Sequence, residues 1–335
     1  MDWSKGYSAS YYMTIVDPVT WRDTERIELV SGSIKRQNDG MKESAEVTCV
    51  NYPQGVERWV RIYLDTEQEG SDAHVPLFTG LATSPGEDID GVLRSASLQI
   101  YSVLKPAADV NLLRGWYAPA GVSGGTIIRQ LLAVTNAPVV VEDNSPALQG
   151  YIIAEDGETY LTMIERVLTA INWRIRLSGD GTISVEPQSD EPVVTFDPFA
   201  LDVLETKIKV NADWFSCPNV YLAIDDDLTA IVRDDSENSP LSTVNRGREV
   251  WKADTSCNLA DNETIEEYAA RRLYEAQKVQ KTAQYDRRFY PDVVPGDMIR
   301  LHYPEQNIDG AFRITTQSIT LGYAATTSET VQTED

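Results

Sequence analysis

His74 and His302 are the only histidines in the chain, so a Ser-His-Asp relay would have to be built on one of them. His74 stands in the polar stretch Ser71-Asp72-Ala73, where solvent is its expected partner, and His302 stands beside Tyr303 on an alternating strand, where packing is. No Gly-x-Ser-x-Gly elbow accompanies either. Hydrolysis by paired carboxylates needs only two acids at the right separation, and 52 Asp and Glu residues supply many pairs. Glu155, Asp156 and Glu158 are the natural candidates, yet they precede a helical stretch, where acidic side chains favour the positive end of the helix dipole. Asp225, Asp226, Asp227, Asp234, Asp235 and Glu237 are dense enough to suggest calcium, but they miss the alternating spacing and central glycine of a calcium loop. Gly124-Gly125 invites a phosphate-loop reading, but no Gly-Lys-Ser/Thr follows it. The residues therefore assign no catalytic, cofactor-binding or metal-ligating positions and imply no cofactor.

Cys49, Cys217 and Cys257 are too few and too scattered for a disulfide framework or a zinc site, and are expected to be free thiols packed as small apolar groups. Asn262-Glu263-Thr264 reads as a helix start in preference to a glycan acceptor. Trp3, Trp21, Trp59, Trp116, Trp173, Trp214 and Trp251 are spread along the chain, several in or beside strand-like runs, which favours anchoring in cores or interfaces over sugar stacking.

At 335 residues the chain exceeds one average core, so two or three domains are expected. No apolar run approaches the ~18 residues of a membrane span, and Met1-Asp2-Trp3-Ser4-Lys5 lacks a signal peptide's basic and apolar regions, so synthesis and residence in the cytoplasm are expected. The net charge of −23 argues against nucleic-acid binding, which draws its affinity from Lys and Arg, and against an anionic membrane surface. It suits solubility, or a surface past which DNA moves without sticking.

Short strands separated by turn signals fill the first hundred residues: Tyr12 to Val16, Ile27 to Val30 before a Ser31-Gly32 turn, Ser44 to Val50, Trp59 to Leu64, an acidic loop from Asp65 to Asp72, then Leu77 to Ala82 and Leu98 to Leu104. A small antiparallel barrel or sandwich is expected there, closing near Lys105-Pro106. From Ala107 the pattern mixes helix and strand: a short helix after Gly124-Gly125, a strand at Val139-Val140-Val141, and a helix after Asp156-Gly157 with Tyr160, Met163, Ile164, Val167, Leu168 and Ile171 on one face. A hairpin follows, Trp173 to Leu177 and Thr182 to Val185 around Ser178-Gly179-Asp180-Gly181, with Asp-Gly supplying positive backbone angles. Strands are next expected at Leu204 to Val210, Asn219 to Ile224 and Leu228 to Val232. Ile265, Tyr268, Ala269, Leu273, Ala276, Val279 and Ala283 then predict one long helix, 264–283, with a Thr264–Glu267 capping box. Strands follow, interrupted at Pro295-Gly296-Asp297 and at Pro304 with Asp309-Gly310, and a frayed tail ends at Glu334-Asp335.

The run Pro295-Gly296-Asp297-Met298-Ile299-Arg300-Leu301 after a long helix, with Gly310-Ala311-Phe312-Arg313-Ile314 beyond it, resembles the C-terminal part of bacteriophage tail (baseplate) hub proteins. Arg61-Ile62-Tyr63-Leu64 with Leu77-Phe78-Thr79-Gly80-Leu81 is similar to their first barrel, and the helix leading into the Gly-Asp-Gly hairpin to their inserted α/β domain. Asn219-Val220 with a strand, then Ser239-Pro240, extends the likeness more loosely through the middle. The resemblance implies a β-rich α+β chain in which two barrel-like antiparallel β domains, 1–105 and 199–335, flank a small α/β domain, 106–198, with the long helix 264–283 in the last. It implies a non-enzymatic virion protein made in the host cytoplasm: a homotrimeric ring joining the sixfold tail tube, or distal tail protein, to the threefold tip or spike. Tape-measure protein and DNA would pass through its channel without specific binding, and no membrane anchor is needed. The alternative is an envelope-degrading or carbohydrate-binding tail protein using acidic and aromatic residues; two carboxylates and an aromatic platform converging in a cleft would mark it.

Overall fold

The computed structural model describes residues 1–3, 5–53, 57–83, 86–90, 93–198, 204–225, 228–255, 257, 263–278, 281–322 and 325–333. Expectations that fall on Phe199, Asp226, Asp227, Asn262, Val279 and Glu334-Asp335 lie outside the described residues. Strands dominate, and most of their pairings are antiparallel. Residues 1–208 with 284–331 form one compact unit, and 209–283 with 332–335 a second.

The first unit opens with β1 (Ser8–Val16), β2 (Asp23–Gln37), β3 (Glu43–Val50), β4 (Arg58–Gln68), β5 (Ser71–Ala82), β6 (Gly86–Asp90) and β7 (Leu93–Ser102). Alternation is clearest on β3, where Ala45, Val47 and Cys49 are buried between more exposed neighbours. Pairing runs β1-β4-β5-β7-β3-β2, and β2 returns to β1, so the circuit closes. Two expected loops are strands instead. The acidic stretch from Asp65 to Asp72 belongs to the β4–β5 hairpin, which turns at Glu69-Gly70, with Gly70 at φ +80°. β2 likewise runs straight through Ser31-Gly32; a Cβ on Gly32 would stand 2.8 Å from the Glu46 carbonyl oxygen, so the glycine serves close strand approach, not a turn.

Then come α1 (Lys105–Asp109), β8 (Tyr117–Ala118), α2 (Gly124–Leu132), β9 (Val139–Val141), β10 (Ile152–Ile153), α3 (Tyr160–Ile171), β11 (Trp173–Leu177), β12 (Ile183–Pro187) and β13 (Pro192–Phe196). α3 buries the predicted Met163, Ile164, Val167, Leu168 and Ile171. Its cap is Thr159, whose hydroxyl accepts from Thr162 N–H, two residues beyond the expected Asp156-Gly157. β11 and β12 pair as the expected hairpin, but only Gly181 of the Asp-Gly pair has positive φ, +91°.

The second unit takes β14 (Leu204–Ala212) in part, then β15 (Val220–Asp225), β16 (Leu228–Arg233), α4 (Thr243–Arg246), β17 (Trp251–Asp254) and α5 (Ile265–Ala276). Ile265, Tyr268, Ala269 and Leu273 of α5 pack on Tyr221, Ala223 and Ala230. The Thr264–Glu267 capping box forms. The helix ends at Ala276, short of the expected Ala283, because Lys281 begins β18 (Lys281–Arg287), on which Ala283, Tyr285 and Arg287 are buried at strand spacing.

The chain then returns to the first unit with β19 (Met298–Tyr303), β20 (Ile308–Thr320) and β21 (Thr327–Gln332). β20 pairs with β2 and with β19, and the path continues β20-β21-β18. The turn before β20 is Pro304–Gln306 with Asn307 at φ +54°, while Asp309 and Gly310, expected to turn, pair with His302 and Leu301. Phe289, Ile319, Leu321 and Ala325 enter the core of β1 to β7, which also holds Met13, Ile62, Leu64 and Phe78. Among the described residues no helix is long and apolar enough to cross a membrane.

Candidate functional site

His74 lies on β5 with Nδ1 2.5 Å from Asp65 Oδ1, and its ring stacks on Tyr63 at 4.5 Å between centroids. His302 has Nδ1 3.5 Å from Asp309 Oδ2, an acid already held by both Arg300 contacts at 2.9 and 3.1 Å. Neither ring is hydrogen-bonded to a serine or cysteine among the described residues. Glu158 is buried and occupied: Oε2 accepts from Glu155 N–H and from Arg166 Nη1, each at 2.8 Å, which closes the turn ahead of α3. Glu155 and Asp156 are exposed. Asp234 is drawn into loop structure by Ser239 Oγ at 2.6 Å, Gln277 Nε2 at 2.8 Å and Ser236 N–H at 3.1 Å. Burial works against its ionisation, and these hydrogen bonds outweigh burial and hold the carboxyl below its usual range. Among the described residues no three His, Cys, Asp or Glu side chains are grouped to hold a metal ion.

Gly124 and Gly125 stand where helix packing is closest. A Cβ on Gly124 would lie 2.8 Å from Ile171 Cδ1, and one on Gly125 2.6 Å from Val141 Cγ1. The three cysteines are free; burial pushes the Cys49 thiol up to about 11, so it is inert. Trp3 packs edge-on against Phe289, and Trp21, Trp59, Trp116 and Trp173 pack on the core around α2 and α3, whereas Trp214 and Trp251 are about half exposed, at 49% and 48%.

What the sequence did not reveal is a chain of buried polar groups across β3, β2, β20, β21 and β18. Arg36 donates from Nε to Glu43 at 3.3 Å, from Nη1 to Gln317 Oε1 at 3.1 Å and from Nη2 to the Leu77 carbonyl at 2.5 Å. Gln317 Nε2 donates to Glu329 Oε1 at 2.8 Å, and Glu329 also accepts from Arg287 Nη2 at 2.5 Å and from the Tyr285 hydroxyl at 2.6 Å. Arg287 and Glu329 have wholly enclosed side chains. Burial opposes the charge on Arg287, and the Glu329 carboxylate outweighs it, so the guanidinium stays charged. Polar residues alternating with apolar ones on a strand normally face water, which is why the pattern concealed this chain.

A second assembly forms at Pro295-Gly296-Asp297. Gly296 adopts φ +92°, and Asp297 accepts from Val294 N–H at 3.0 Å and from Arg174 Nη2 at 2.7 Å. Arg174 Nε also donates to Glu186 at 2.8 Å, while Arg313 Nη1 and Gln188 Nε2 donate to the Gly296 carbonyl at 2.7 and 3.1 Å. The turn thereby locks the β11–β12 hairpin to the strands β19 and β20. Beside it opens a cavity of about 690 Å³, bounded by the Asn38–Lys42 turn, the C-terminal half of α3 and the start of β11; Asp39, Lys42, Glu165, Trp173 and Arg174 are among its lining residues.

No family model matches the sequence, and neither does any curated protein. Solved structures do match in three dimensions. A tail protein from Neisseria meningitidis MC58 has a TM-score of 0.66 at 18% identity, covering 98% of this chain and 97% of its own. The 43 kDa tail protein of prophage MuSo2 from Shewanella oneidensis gives 0.64 at 12%, covering 96% and 97%. A chain of the Francisella PdpA-VgrG complex gives 0.59 at 8%, covering 98% of this chain but 58% of its own. The fold of this chain is that of phage and prophage tail proteins.

Proposed function

We propose that the protein is a structural component of a phage tail or a related injection machine, forming the hub ring that joins tail tube to tip. The observation that carries this reading is end-to-end correspondence: the fold matches the two tail proteins over 96% or more of either chain. Fold alone does not dictate function, so the reading also draws on the buildup of the molecule. The closed circuit β1-β4-β5-β7-β3-β2 supports a first barrel-like domain, and β18 to β21 around β20 supports a second. In this reading the domains are 1–105, 106–198 and 199–335, and two barrels per chain in a homotrimer present six similar units to a sixfold tube. Its partners are the tail tube or distal tail protein, the tape-measure protein and the tip or spike, and its place is the virion tail. The net charge of −23 then keeps DNA from adhering to the channel wall.

Sedimentation of the purified protein tests this. A trimer, with threefold rings in electron micrographs, is the expected result. A stable monomer that degrades peptidoglycan would overturn the reading in favour of an envelope-acting enzyme.

A further inference from the structure

We propose that the arginine and aromatic surface around Phe215 and Trp251 is the contact one copy of this chain makes with the next, seating on the acidic tip of the neighbour's β4–β5 hairpin. The surface lies on the second unit, and its own hydrogen bonds make it continuous. Phe215, 77% exposed, lies under the Arg248 guanidinium, 4.0 Å from the ring centroid, and its carbonyl accepts from Nη2 of both Arg246 and Arg248. Buried Asn219 donates to the Arg248 carbonyl at 3.0 Å and accepts from Val250 N–H at 2.7 Å, which fixes the backbone leading to Trp251. Arg233 stands over the Trp251 ring at 5.6 Å, with Glu249 hydrogen-bonded to both side chains. From there the surface runs onto the sheet β16-β15-β17. α5 packs on Tyr221, Ala223 and Ala230, so the alternate residue Leu222, with its cross-strand partners Ile231 and Ala253, faces away from the helix. Ile231 and Trp251 are about half exposed. Trp and Arg beside exposed aliphatic side chains are the composition of an interface centre.

Charge selects the occupant. Each copy carries 52 acidic against 29 basic residues, so copies repel one another over most of their surface. Here the sign is reversed. Three guanidinium groups are set against the carboxylates of Glu249 and Asp213, and Asp213 is turned onto Ser216 and the Phe215 N–H. Of the three, only Arg233 is in an ion pair among the described residues, with Glu249. Two such surfaces would repel each other, so the contact is heterologous, and a heterologous contact generates a ring or a filament instead of a twofold dimer. The counterpart is Glu67 with Asp72, both exposed and directly opposite one another across β4 and β5, with exposed Glu69 at the turn. Like charges opposed in this way weaken a hairpin, and among the described residues none of the three is in an ion pair. Guanidinium groups from a neighbour relieve that repulsion.

This contact rests on the hub-ring reading, and the test separates the two. Sedimentation velocity of the full chain should show a wild-type trimer. Arg246→Glu with Arg248→Glu, and separately Glu67→Lys with Asp72→Lys, should each weaken association about a hundredfold or more, leaving monomers with unchanged circular dichroism spectra. The second pair guards against misfolding, because Arg246 also holds the 215–217 loop through the Cys217 carbonyl, whereas Glu67 and Asp72 are exposed hairpin positions. All four substitutions in one chain set Glu against Lys at every contact and should restore the trimer. Mixing the two double variants should instead give a one-to-one complex, because three copies cannot alternate around a ring. A wild-type monomer would overturn the hub reading and this contact with it. A wild-type trimer that survives the Glu67/Asp72 reversal, or a chain with all four substitutions that stays monomeric, would overturn the contact alone. So would single-stranded DNA binding that is lost in the Arg246/Arg248 variant while its trimer persists.

Discussion

Replacing Glu329 by leucine would remove the acceptor on which three buried donors converge. The carboxylate is wholly enclosed and takes Arg287 at 2.5 Å, the Tyr285 hydroxyl at 2.6 Å and Gln317 at 2.8 Å. Without it the Arg287 guanidinium remains charged beneath the Phe196 ring, 5.2 Å from its centroid, with its ion-pair partner gone. Breaking a buried pair by deleting one partner typically destabilises by about 3–5 kcal/mol, chiefly because the surviving charge stays desolvated. For a unit of this size that corresponds to a fall in melting temperature of roughly 6–20 °C. The same logic predicts rescue. Arg287→Met with Glu329→Leu removes both charges and their desolvation together, so the double variant should be more stable than Glu329→Leu alone, with a coupling of about 2–3 kcal/mol. Urea unfolding followed by tryptophan fluorescence measures all four corners of the cycle. A single variant that loses less than about 1 kcal/mol, or a double variant whose loss equals the sum of the singles, would refute the role assigned to the pair.

Two further outcomes follow from the same interior. Burial pushes the Glu43 carboxyl up to about 7 despite Arg36 beside it, so the folded state holds a proton there that the unfolded chain releases near its ordinary 4.5. That group's contribution to stability is therefore lost as pH rises through that window, and Glu43→Gln should gain on the wild type between pH 5 and pH 8 in paired urea titrations; a pH-independent difference would contradict it. Gly179→Ala would place a Cβ 1.8 Å from the Pro76 carbonyl oxygen, at the point where the hairpin tip receives Thr79 Oγ1 at 2.7 Å. Because backbone must move on both sides, a loss at or above about 3 kcal/mol is expected, the upper end for overpacking, checked by the melting temperature against a Gly150→Ala control with open space around it.

Local pattern carried much of this fold. Period-2 alternation at Ala45, Val47 and Cys49, the α3 face from Met163 to Ile171, and the Thr264–Glu267 capping box were all legible, because each depends on neighbours a few residues apart. Errors arose where distant partners override local signals. Ser31-Gly32 and Asp309-Gly310 carry turn chemistry, yet strand pairing with β3 and β19 pulls both into continuous strands. Ala283 continues a helical spacing, yet lies in β18 because burial of Tyr285 and Arg287 at strand spacing prevails.

The site was less legible than the fold. Asp39, Lys42, Glu165 and Trp173 show no motif, since their proximity is created by α3 packing near the turn between β2 and β3, more than a hundred residues away in sequence. The same holds for Arg36 with Gln317, 281 residues apart, and Arg174 with Asp297, 123 apart. By itself the sequence determined the β-rich class, the charge, the principal helices and a resemblance to tail hubs. Only the tertiary structure decided which charges are buried against one another and where a cavity opens, because burial, unlike periodicity, is a property of the packed chain.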